Sequence, residues 1–289
     1  MKAIVITEPG GPEVLQLQEV EDPQIKDDEV LIKVEATALN HADIYQRQGS
    51  YLPPKGASPY PGLECSGTII SVGKNVSRWK VGDEVCALLS GGGYAEKVAA
   101  PAGQVILAPA GVALKDAAAF PEVACTVWST VFMTSRLSAG ETFLVHGGSS
   151  GIGTFAIQIA KYYGVKVFVT AGVDVILDSI GASYFKRNID SLNLDGRLFL
   201  LGFMEGSVVE VDLKSLFAKR GTVQAAGLRS RSPENKAVIV SNVEKNVWPA
   251  ITAGNVRPVI DKYFPLSEAA EAHRLMESSK HIGKIVLLA

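Results

Sequence analysis

The stretch that decides the fold is Phe143-Leu-Val-His-Gly-Gly-Ser-Ser-Gly-Ile-Gly-Thr154. It has the pattern of an apolar strand, a glycine-rich turn and a helix of mostly small and apolar residues. Glycines at 148, 151 and 153 allow a tight turn and a close approach of the backbone to a ligand. The N–H groups of the helix N-terminus face the turn, and Ser149 and Ser150 add hydroxyl donors. This order of strand, turn and helix predicts a site for the pyrophosphate of a dinucleotide.

The composition is that of a globular protein with a large core. The chain has 289 residues, of which 47% are hydrophobic, and its length favours two domains. A net charge of −2 offers no basic surface for nucleic acid. No apolar run approaches the roughly 20 residues that span a bilayer, and Met1-Lys-Ala-Ile-Val-Ile6 predicts a strand rather than a targeting segment. We therefore expect a cytoplasmic protein whose partners are neither nucleic acid nor membrane.

The three cysteines predict no metal centre. Cys65, Cys86 and Cys125 are widely spaced and form no C-x-x-C pair. Such spacing is not that of a structural zinc site. We expect reduced and mostly buried thiols.

The first part of the chain has the pattern of a β protein. Short apolar segments alternate with turns rich in Gly, Pro and Asp, which predicts an antiparallel barrel. The predicted strands are Ala3–Thr7, Val14–Val20, Glu29–Ala38, Cys65–Val72, Val85–Leu89 and Tyr94–Ala99.

From about Ala117 onward, helices and strands alternate, which predicts a parallel sheet. Ser232 with Pro233 has the pattern of a helix cap and first turn. The predicted helices are Ala117–Phe120 and Cys125–Ser135 (broken at Pro121), Gly151–Tyr163, Tyr184–Leu194 (closed by Asp195-Gly196), Leu213–Arg220, one from Ser232 and one from Ser267. The predicted strands are Glu141–Val145, Val165–Thr170, Val173–Ile180, Arg197–Gly202, Thr222–Leu228 and Ile285–Leu288.

Several stretches resemble a single family. They are Ala38-Leu-Asn-His-Ala-Asp43, Gln46-Arg-Gln-Gly-Ser-Tyr51, Pro61-Gly-Leu-Glu-Cys-Ser-Gly67, Trp79-Lys-Val-Gly-Asp-Glu84 and Ile282-Gly-Lys-Ile-Val286. Together they resemble the zinc-independent quinone oxidoreductases of the medium-chain dehydrogenase/reductase superfamily, in the p53-inducible-gene-3-like branch. The resemblance implies an α/β protein with a GroES-like β-barrel catalytic domain and a Rossmann-type doubly wound parallel sheet. It implies a catalytic domain at 1–122, a cofactor domain at 123–250 and a return to the catalytic domain at 251–289.

The same comparison implies that no zinc is bound. The zinc alcohol dehydrogenases of this superfamily place a ligand in a Gly-His-Glu motif, and this chain has Gly62-Leu-Glu64. Leu63 cannot ligate a metal, and the four-cysteine lobe that should follow Val85 is missing. Glu64 is expected to make structural hydrogen bonds.

The resemblance carries site residues over position by position. Asn40 and Tyr51, with Tyr45 as a weaker candidate, resemble the residues that line the cleft for nicotinamide and substrate, and no general base is assigned. Thr126 resembles the residue that holds the carboxamide end of the cofactor, although a helical Thr bonded to its own backbone is an open alternative. Arg229 is expected to help neutralise a cofactor phosphate. The residues expected to bind NADPH are Thr126, Gly148, Ser149, Ser150, Gly151, Ile152, Gly153, Gly202, Phe203, Met204, Leu228 and Arg229.

The pattern breaks between Thr170 and Val173. Parallel neighbours need a crossover of about a dozen residues. Two or three residues reach about 10 Å, against roughly 17–20 Å for the return along a full strand. The resembling family has roughly 40 more residues here, more than one βαβ unit. We infer an internal deletion near 172/173. Two local outcomes are open: an antiparallel hairpin through Ala171-Gly172, or one segment leaving the sheet.

The deletion also bears on the cofactor. The resembling family holds the 2′-phosphate of NADPH with a Ser and a Lys just after Thr-Ala-Gly, and this chain has neither. Asp174 stands 21 residues after Gly153, near the spacing of a ribose-binding acid, but we interpret it as an interior strand residue. We expect NADPH to be the ancestral cofactor and to bind weakly.

The resemblance implies an NADPH-dependent quinone oxidoreductase that transfers hydride without a metal, impaired by the deletion. Two alternatives stay open: reduction of α,β-unsaturated carbonyls, and a non-catalytic truncated form that acts through dimerisation. The strand Thr222–Leu228 matches the one through which the family's subunits pair, so a homodimer is expected.

Overall fold

The structure is a computed structural model that describes residues 1–168 and 172–289. Its described parts form a seven-stranded sheet, a five-stranded sheet and a two-stranded one. The strands are β1 (Lys2–Ile6), β2 (Leu15–Glu19), β3 (Glu29–Ala38), β4 (Glu64–Val72), β5 (Glu84–Leu88), β6 (Lys97–Pro101), β7 (Val105–Leu107), β8 (Thr142–Val145), β9 (Lys166–Phe168), β10 (Val173–Asp178), β11 (Leu192–Leu200), β12 (Thr222–Ala225), β13 (Ile260–Pro265) and β14 (Lys284–Leu288).

The helices lie mostly after Ala113. The α-helices are α1 (His41–Arg47), α2 (Leu114–Ala117), α3 (Pro121–Val127), α4 (Gly151–Tyr162), α5 (Ala182–Ser191), α6 (Leu213–Ala218), α7 (Pro233–Asn246), α8 (Trp248–Thr252) and α9 (Ala269–Glu277). A π-helical segment, Trp128–Thr134, continues α3. Within residues 1–168 and 172–289, no helix combines the length and the apolar character that crossing a bilayer requires.

The seven-stranded sheet is built around β3, the longest of the strands. β3 pairs antiparallel with β4, β6 and β14, and β5 and β7 extend the sheet. Val30, Ile32 and Val34 alternate with less buried residues, so one face of the strand enters the core. β13 joins through a parallel pairing with β14. The predicted β-barrel half is confirmed.

The five-stranded sheet is parallel throughout, in the order β12-β11-β10-β8-β9. Its central strands are buried on both faces. Phe143 and Val145 pack into the core that α3 and α4 share, whereas Leu144 faces the core beside α5. Strands buried on both faces are typical of doubly wound sheets. The predicted Rossmann-type sheet is confirmed.

The junction after β9 differs from both predicted outcomes. β9 and β10 lie on opposite sides of β8, and both are parallel to it, so the predicted hairpin is wrong and neither strand leaves the sheet. Phe168 pairs with Leu144, and Val175 pairs with Phe143. Val173 therefore lies two strand spacings to the side of Phe168 and three residues further back along the sheet. The distance between their Cα atoms is about 14 Å, which five peptide units can span. A direct connection is possible here because β9 has three residues, rather than the roughly five or six of a typical strand. Thr170 and Ala171 lie outside the described residues.

The helix predicted over Tyr184–Leu194 ends too late. α5 stops at Ser191 and β11 begins at Leu192, whose side chain is buried under the sheet. The pairing of β10 then skips from Leu192 to Arg197, so the intervening residues bulge and Asp195 adopts a φ of 60°. Asp195-Gly196 thus belongs to a bulged strand rather than to a helix end.

Other differences are local. Pro121 does not break a helix but begins one, because its missing N–H costs nothing at the first helical position. The prediction omitted α1, α8, β7 and β13. β6 begins three residues later than predicted, and β12 ends at Ala225. The domain boundaries at 122/123 and 250/251 stay predictions.

Candidate active site

The glycine-rich turn joins β8 to α4 as predicted. Ser150 caps the helix, and its Oγ accepts a hydrogen bond of 3.0 Å from the Gly153 N–H. A Cβ atom on Gly153 would lie 2.2 Å from the carbonyl oxygen of Gly147, so the third glycine of the motif is required by packing. The left-handed backbone conformation falls on Gly147, at a φ of 69°, and not on Gly148.

The helix end fits a phosphate group. Within residues 1–168 and 172–289, the Ile152 N–H has no hydrogen-bond acceptor, whereas the Gly151 N–H faces the Gly283 carbonyl in an isolated parallel bridge between Ser150 and Gly283. Free amides at a helix N-terminus, together with the positive end of the helix dipole, favour an anion. Gly148, Ser149 and Ser150 complete the turn in front of them, so these residues suit the pyrophosphate of a nicotinamide dinucleotide.

Lys284 connects this turn to the seven-stranded sheet. Its Nζ donates to the Leu39 carbonyl at 2.9 Å, to Asn40 Oδ1 at 2.8 Å and to Glu64 Oε1 at 2.6 Å. A Cβ on Gly151 would lie 2.4 Å from the Lys284 Cδ, so the lysine stem packs directly on the turn. One buried side chain thus spans from the predicted phosphate site to Asn40.

Asn40 is held rigidly. It caps α1, its Nδ2 donates to Glu64 Oε1 at 2.9 Å, and its Oδ1 accepts from Lys284. Glu64 is fully buried and satisfied by donors, which agrees with the structural role expected for it. Asn40 stays a predicted cleft residue.

Glu122 binds the Glu64 carboxylate at the oxygen that Asn40 and Lys284 do not contact. The Glu122 N–H donates to Glu64 Oε2 at 2.8 Å, and Glu122 Oε1 accepts from Thr126 Oγ1 at 3.2 Å. Burial raises the pKa of Glu122 to about 7, and the negative charge of Glu64 adds to this shift. Thr126 therefore bonds a side chain rather than its own backbone, and its predicted role at the carboxamide is compatible with this placement.

Arg229 links three segments of the chain that are far apart in sequence. Its guanidinium donates to the Ser90 carbonyl at 3.0 Å, to the Tyr51 carbonyl at 3.2 Å and to Gln46 Oε1 at 2.5 Å. Lys236 Nζ donates to Ser90 Oγ at 2.5 Å, which brings α7 to the same place. Because all three nitrogens of Arg229 bind protein acceptors, its geometry favours a role in holding loops. Its predicted phosphate contact stays a prediction.

The two aromatic residues that were predicted to line the cleft are partly exposed. Tyr51 is 37% exposed, and the Arg229 guanidinium lies 5.1 Å from its ring centroid. Leu52 beside it is 73% exposed. Tyr45 stacks edge-on against His41, with ring centroids 4.9 Å apart. Burial raises the pKa of both tyrosines, so both hydroxyls are neutral at pH 7.

A series of buried polar side chains connects α1 to α9 through hydrogen bonds. Arg47 can only donate to His273 Nδ1, at 3.3 Å, so Nε2 carries the proton and donates to the Tyr94 hydroxyl at 3.2 Å. Tyr94 in turn donates to Asp43 Oδ2 at 3.2 Å. Burial lowers the pKa of His273 to about 3 and raises that of Asp43 to about 6. These hydrogen-bonded side chains hold α1, the helix that Asn40 caps, in place.

The other predicted cofactor residues lie at strand ends. Gly202 follows β11, and Phe203 and Met204 are about half exposed beyond it. Leu228 is buried in the loop after β12. Carboxyl ends of parallel strands form the ligand edge of such sheets, so these four residues stay predictions.

Asp174 is an interior strand residue, as interpreted. Its Oδ2 accepts from the N–H and Oγ1 of Thr142, both at 2.7 Å, and its Oδ1 accepts from Asn193 at 2.8 Å. These bonds tie β10 to its neighbours and leave the carboxylate no part in ribose binding.

Sequence reasoning missed Glu122, Lys236 and Lys284. Pro121-Glu122 was visible as a proline before an acid, but nothing in the pattern distinguishes a buried acid from a solvated one. Within the described residues, no group of three or more His, Cys, Asp or Glu side chains is placed to hold a metal ion. The three cysteines are free and buried.

Two family models match the chain. One, described as an alcohol dehydrogenase GroES-like domain, matches residues 26–110, and the other, described as a zinc-binding dehydrogenase, matches residues 156–287. They cover parts of the two sheets that the structure contains.

Curated relatives match the whole chain. The quinone oxidoreductase of Rattus norvegicus is 32% identical, over 100% of this chain and 98% of that protein. The chloroplastic NADPH-dependent alkenal/one oxidoreductase of Arabidopsis thaliana is 33% identical, over 99% of this chain and 79% of its own length. The solved structure of Escherichia coli quinone oxidoreductase complexed with NADPH superposes with a TM-score of 0.86 at 25% identity, covering 100% of both chains.

The alignment with the rat protein also shows how many of its positions have no counterpart in this chain. It spans 332 positions, whereas this chain has 289 residues, so at least 43 positions of the relative face no residue here. This shortfall has the size of the inferred deletion. With matching models for both halves and relatives above 30% identity over nearly their full length, this chain belongs to the zinc-independent quinone oxidoreductase type of the medium-chain dehydrogenase/reductase family, a family of oxidoreductases.

Proposed function

We propose that this protein is a nicotinamide-dependent reductase, with NADPH as its ancestral cofactor, that transfers hydride to quinones. The observation that carries the proposal is Lys284, whose stem packs on Gly151 of the phosphate turn while its Nζ binds Asn40. A single side chain therefore sets the distance between the phosphate turn and the predicted substrate cleft. Relatives that carry quinone oxidoreductase names support the same reaction.

The residues present suit such chemistry. A bound reduced nicotinamide supplies the hydride, so the protein has to orient an acceptor and exclude water. Tyr51 and Leu52 are both exposed, and together they offer an apolar surface at the predicted cleft against which a planar ring can pack. A quinone accepts hydride readily because its product is aromatic, so no Lewis acid is required.

Steady-state oxidation of NADPH by benzoquinone tests this function. We expect turnover in the purified chain and a loss of at least about tenfold in kcat/KM for Asn40→Ala, since positioning groups contribute on this scale. Asn242→Ala on the exposed face of α7 is the matched control and should be unchanged. A purified, folded chain without turnover would refute the function and favour the non-catalytic form.

A second candidate substrate class is the α,β-unsaturated carbonyls. The alkenal/one oxidoreductase of Arabidopsis thaliana is as similar to this chain as the quinone oxidoreductases are. The ratio of kcat/KM for hexenal to that for benzoquinone distinguishes them: a ratio above one assigns the enzyme to alkenals.

We also propose that the chain does not select NADPH over NADH. In sequence, the four residues after Phe168 are Val169-Thr-Ala-Gly172, and none of them is charged. The resembling family holds the 2′-phosphate with a Ser and a Lys just after its Thr-Ala-Gly, and this sequence has neither, so we expect the 2′-phosphate to add little to the affinity. Calorimetry should give dissociation constants for NADPH and NADH within about threefold of each other, both weak. A submicromolar constant for NADPH would contradict this.

The assembly and its location follow as proposals. We propose a homodimer that pairs through β12, which lies at the end of its sheet. The surface beside β12 is apolar, with Phe217 86% exposed and Leu213 exposed as well. Three free, buried thiols fit the reducing cytoplasm.

A further inference from the structure

The carboxyl group of Glu122 is the one acid of the cleft that is anchored at one oxygen and open at the other. Thr126 Oγ1 holds Oε1, whereas Oε2 has no hydrogen-bond partner within residues 1–168 and 172–289. Asp43, by contrast, accepts from the N–H groups of Asn40 and Gly62 and from the Tyr94 hydroxyl. Glu122 is thus the carboxyl group with capacity for a ligand.

Glu122 also lies between the two halves of the site. Its backbone N–H binds Glu64, which binds Asn40, and its carboxyl group binds Thr126. The predicted substrate residue and the predicted nicotinamide residue therefore connect through this one glutamate. A proton on this carboxyl group lies beside Thr126 and is separated from Asn40 by Glu64 alone.

Charges from every neighbouring element act on this carboxyl group. Lys284 on β14 and Lys236 on α7 favour the ionised form, whereas burial and the charge of Glu64 on β4 favour the neutral form. Arg229 and Tyr51 are charge partners from the two adjacent loops. The balance raises its pKa to about 7, so both protonation states are populated near neutrality.

We propose that Glu122 is the acid that protonates the substrate after hydride transfer. The proposal rests on the proposed function. A quinone that receives a hydride becomes a hydroquinone monoanion. The Glu122 O–H bond breaks, its proton forms the second O–H bond of the hydroquinone, and the carboxylate that remains regains a proton from solvent. For an enone the same proton goes to the carbon next to the carbonyl group.

The pH dependence of kcat tests this role. In the wild type, kcat should fall tenfold per pH unit above about 7, because the acid is then ionised. Glu122→Gln keeps the acceptor for Thr126 and removes the proton, so kcat at pH 6 should drop about hundredfold and the fall above pH 7 should vanish. KM should change less than threefold. Glu122→Asp should restore the fall with pH.

Three further measurements separate this role from others. Glu271→Gln, an exposed pair with Arg274 on α9, is the control and should keep the wild-type profile. Tyr51→Phe should also keep it. Carbon-13 NMR of labelled glutamate side chains should show one resonance that titrates near pH 7 and is absent in Glu122→Gln, independently of turnover.

The results of these experiments distinguish a failure of the role of Glu122 from a failure of the proposed function. An active Glu122→Gln variant that keeps the wild-type pH profile overturns the role of Glu122 and leaves the proposed function standing. Loss of the profile in Tyr51→Phe alone transfers the role to the tyrosine and overturns ours. A wild type that turns over neither benzoquinone nor hexenal overturns both proposals, whatever the NMR titration shows.

Discussion

Replacing Lys284 with methionine tests the contact on which the site depends. Lys284 and Glu64 are both buried, and the Lys284 Nζ makes three hydrogen bonds of 2.6 to 2.9 Å. Methionine fills the same space but leaves the Glu64 carboxylate without its cation. Breaking one partner of a buried pair costs roughly 3–5 kcal/mol, so we expect the free energy of unfolding to fall by that amount.

Urea unfolding followed by tryptophan fluorescence measures the effect. At a slope of about 3 kcal/mol/M, the midpoint should fall by roughly 1–1.7 M. Arg274→Met removes the exposed pair with Glu271 and should cost under about 1 kcal/mol. Adding Glu64→Gln to Lys284→Met should recover part of the loss, because no unpaired charge remains. A loss below 1 kcal/mol for Lys284→Met would refute the reasoning.

Three further predictions follow from single contacts. Gly153→Ala places a Cβ 2.2 Å from the Gly147 carbonyl oxygen, so binding of NADPH in calorimetry should weaken at least about tenfold, and wild-type affinity would contradict this packing. His273 is held neutral with a pKa near 3, below its unfolded value of 6.5, so its own contribution to stability should fall by up to about 3 kcal/mol between pH 6.5 and 4, whereas the raised pKa values of Asp43 and Glu122 act in the opposite direction over this window. In thermal melts recorded against pH, the wild type should therefore lose up to about 3 kcal/mol more than His273→Gln between pH 6.5 and 4, and equal pH dependence of the two proteins would refute the role of His273. Phe217→Glu should convert the proposed dimer to a monomer in light scattering, and a wild type that is already monomeric would refute the dimer.

Local patterns sufficed for much of the fold. The apolar segment Glu29–Ala38, bounded by turns rich in Gly, Pro and Asp, predicted β3 with its observed bounds, because both signals lie within a few residues of the strand. Ser232 and Pro233 predicted the start of α7, since a cap bond and a fixed φ are satisfied within a few residues. The bulge at Asp195 was missed because it depends on how β11 pairs with β10.

The candidate site likewise has features that local sequence predicts and features that it does not. The turn after β8 was predictable, since its glycines and its cap act within eight residues. The contacts of Lys284 were not, because Glu64 is 220 residues away and nothing local marks either residue as buried. Glu122 was missed for the same reason: its protonation depends on charges from three other elements.

By itself, the sequence determined the parts: the glycine-rich turn, the strand periods and the missing crossover near Gly172, all of which are local or countable properties. Tertiary structure decided how these parts meet. It placed β9 and β10 on opposite sides of β8, and it brought Asn40, Glu122 and Lys284 together. The physical reason is that burial and ion pairing are properties of the folded chain, where residues far apart in sequence share one low-dielectric space.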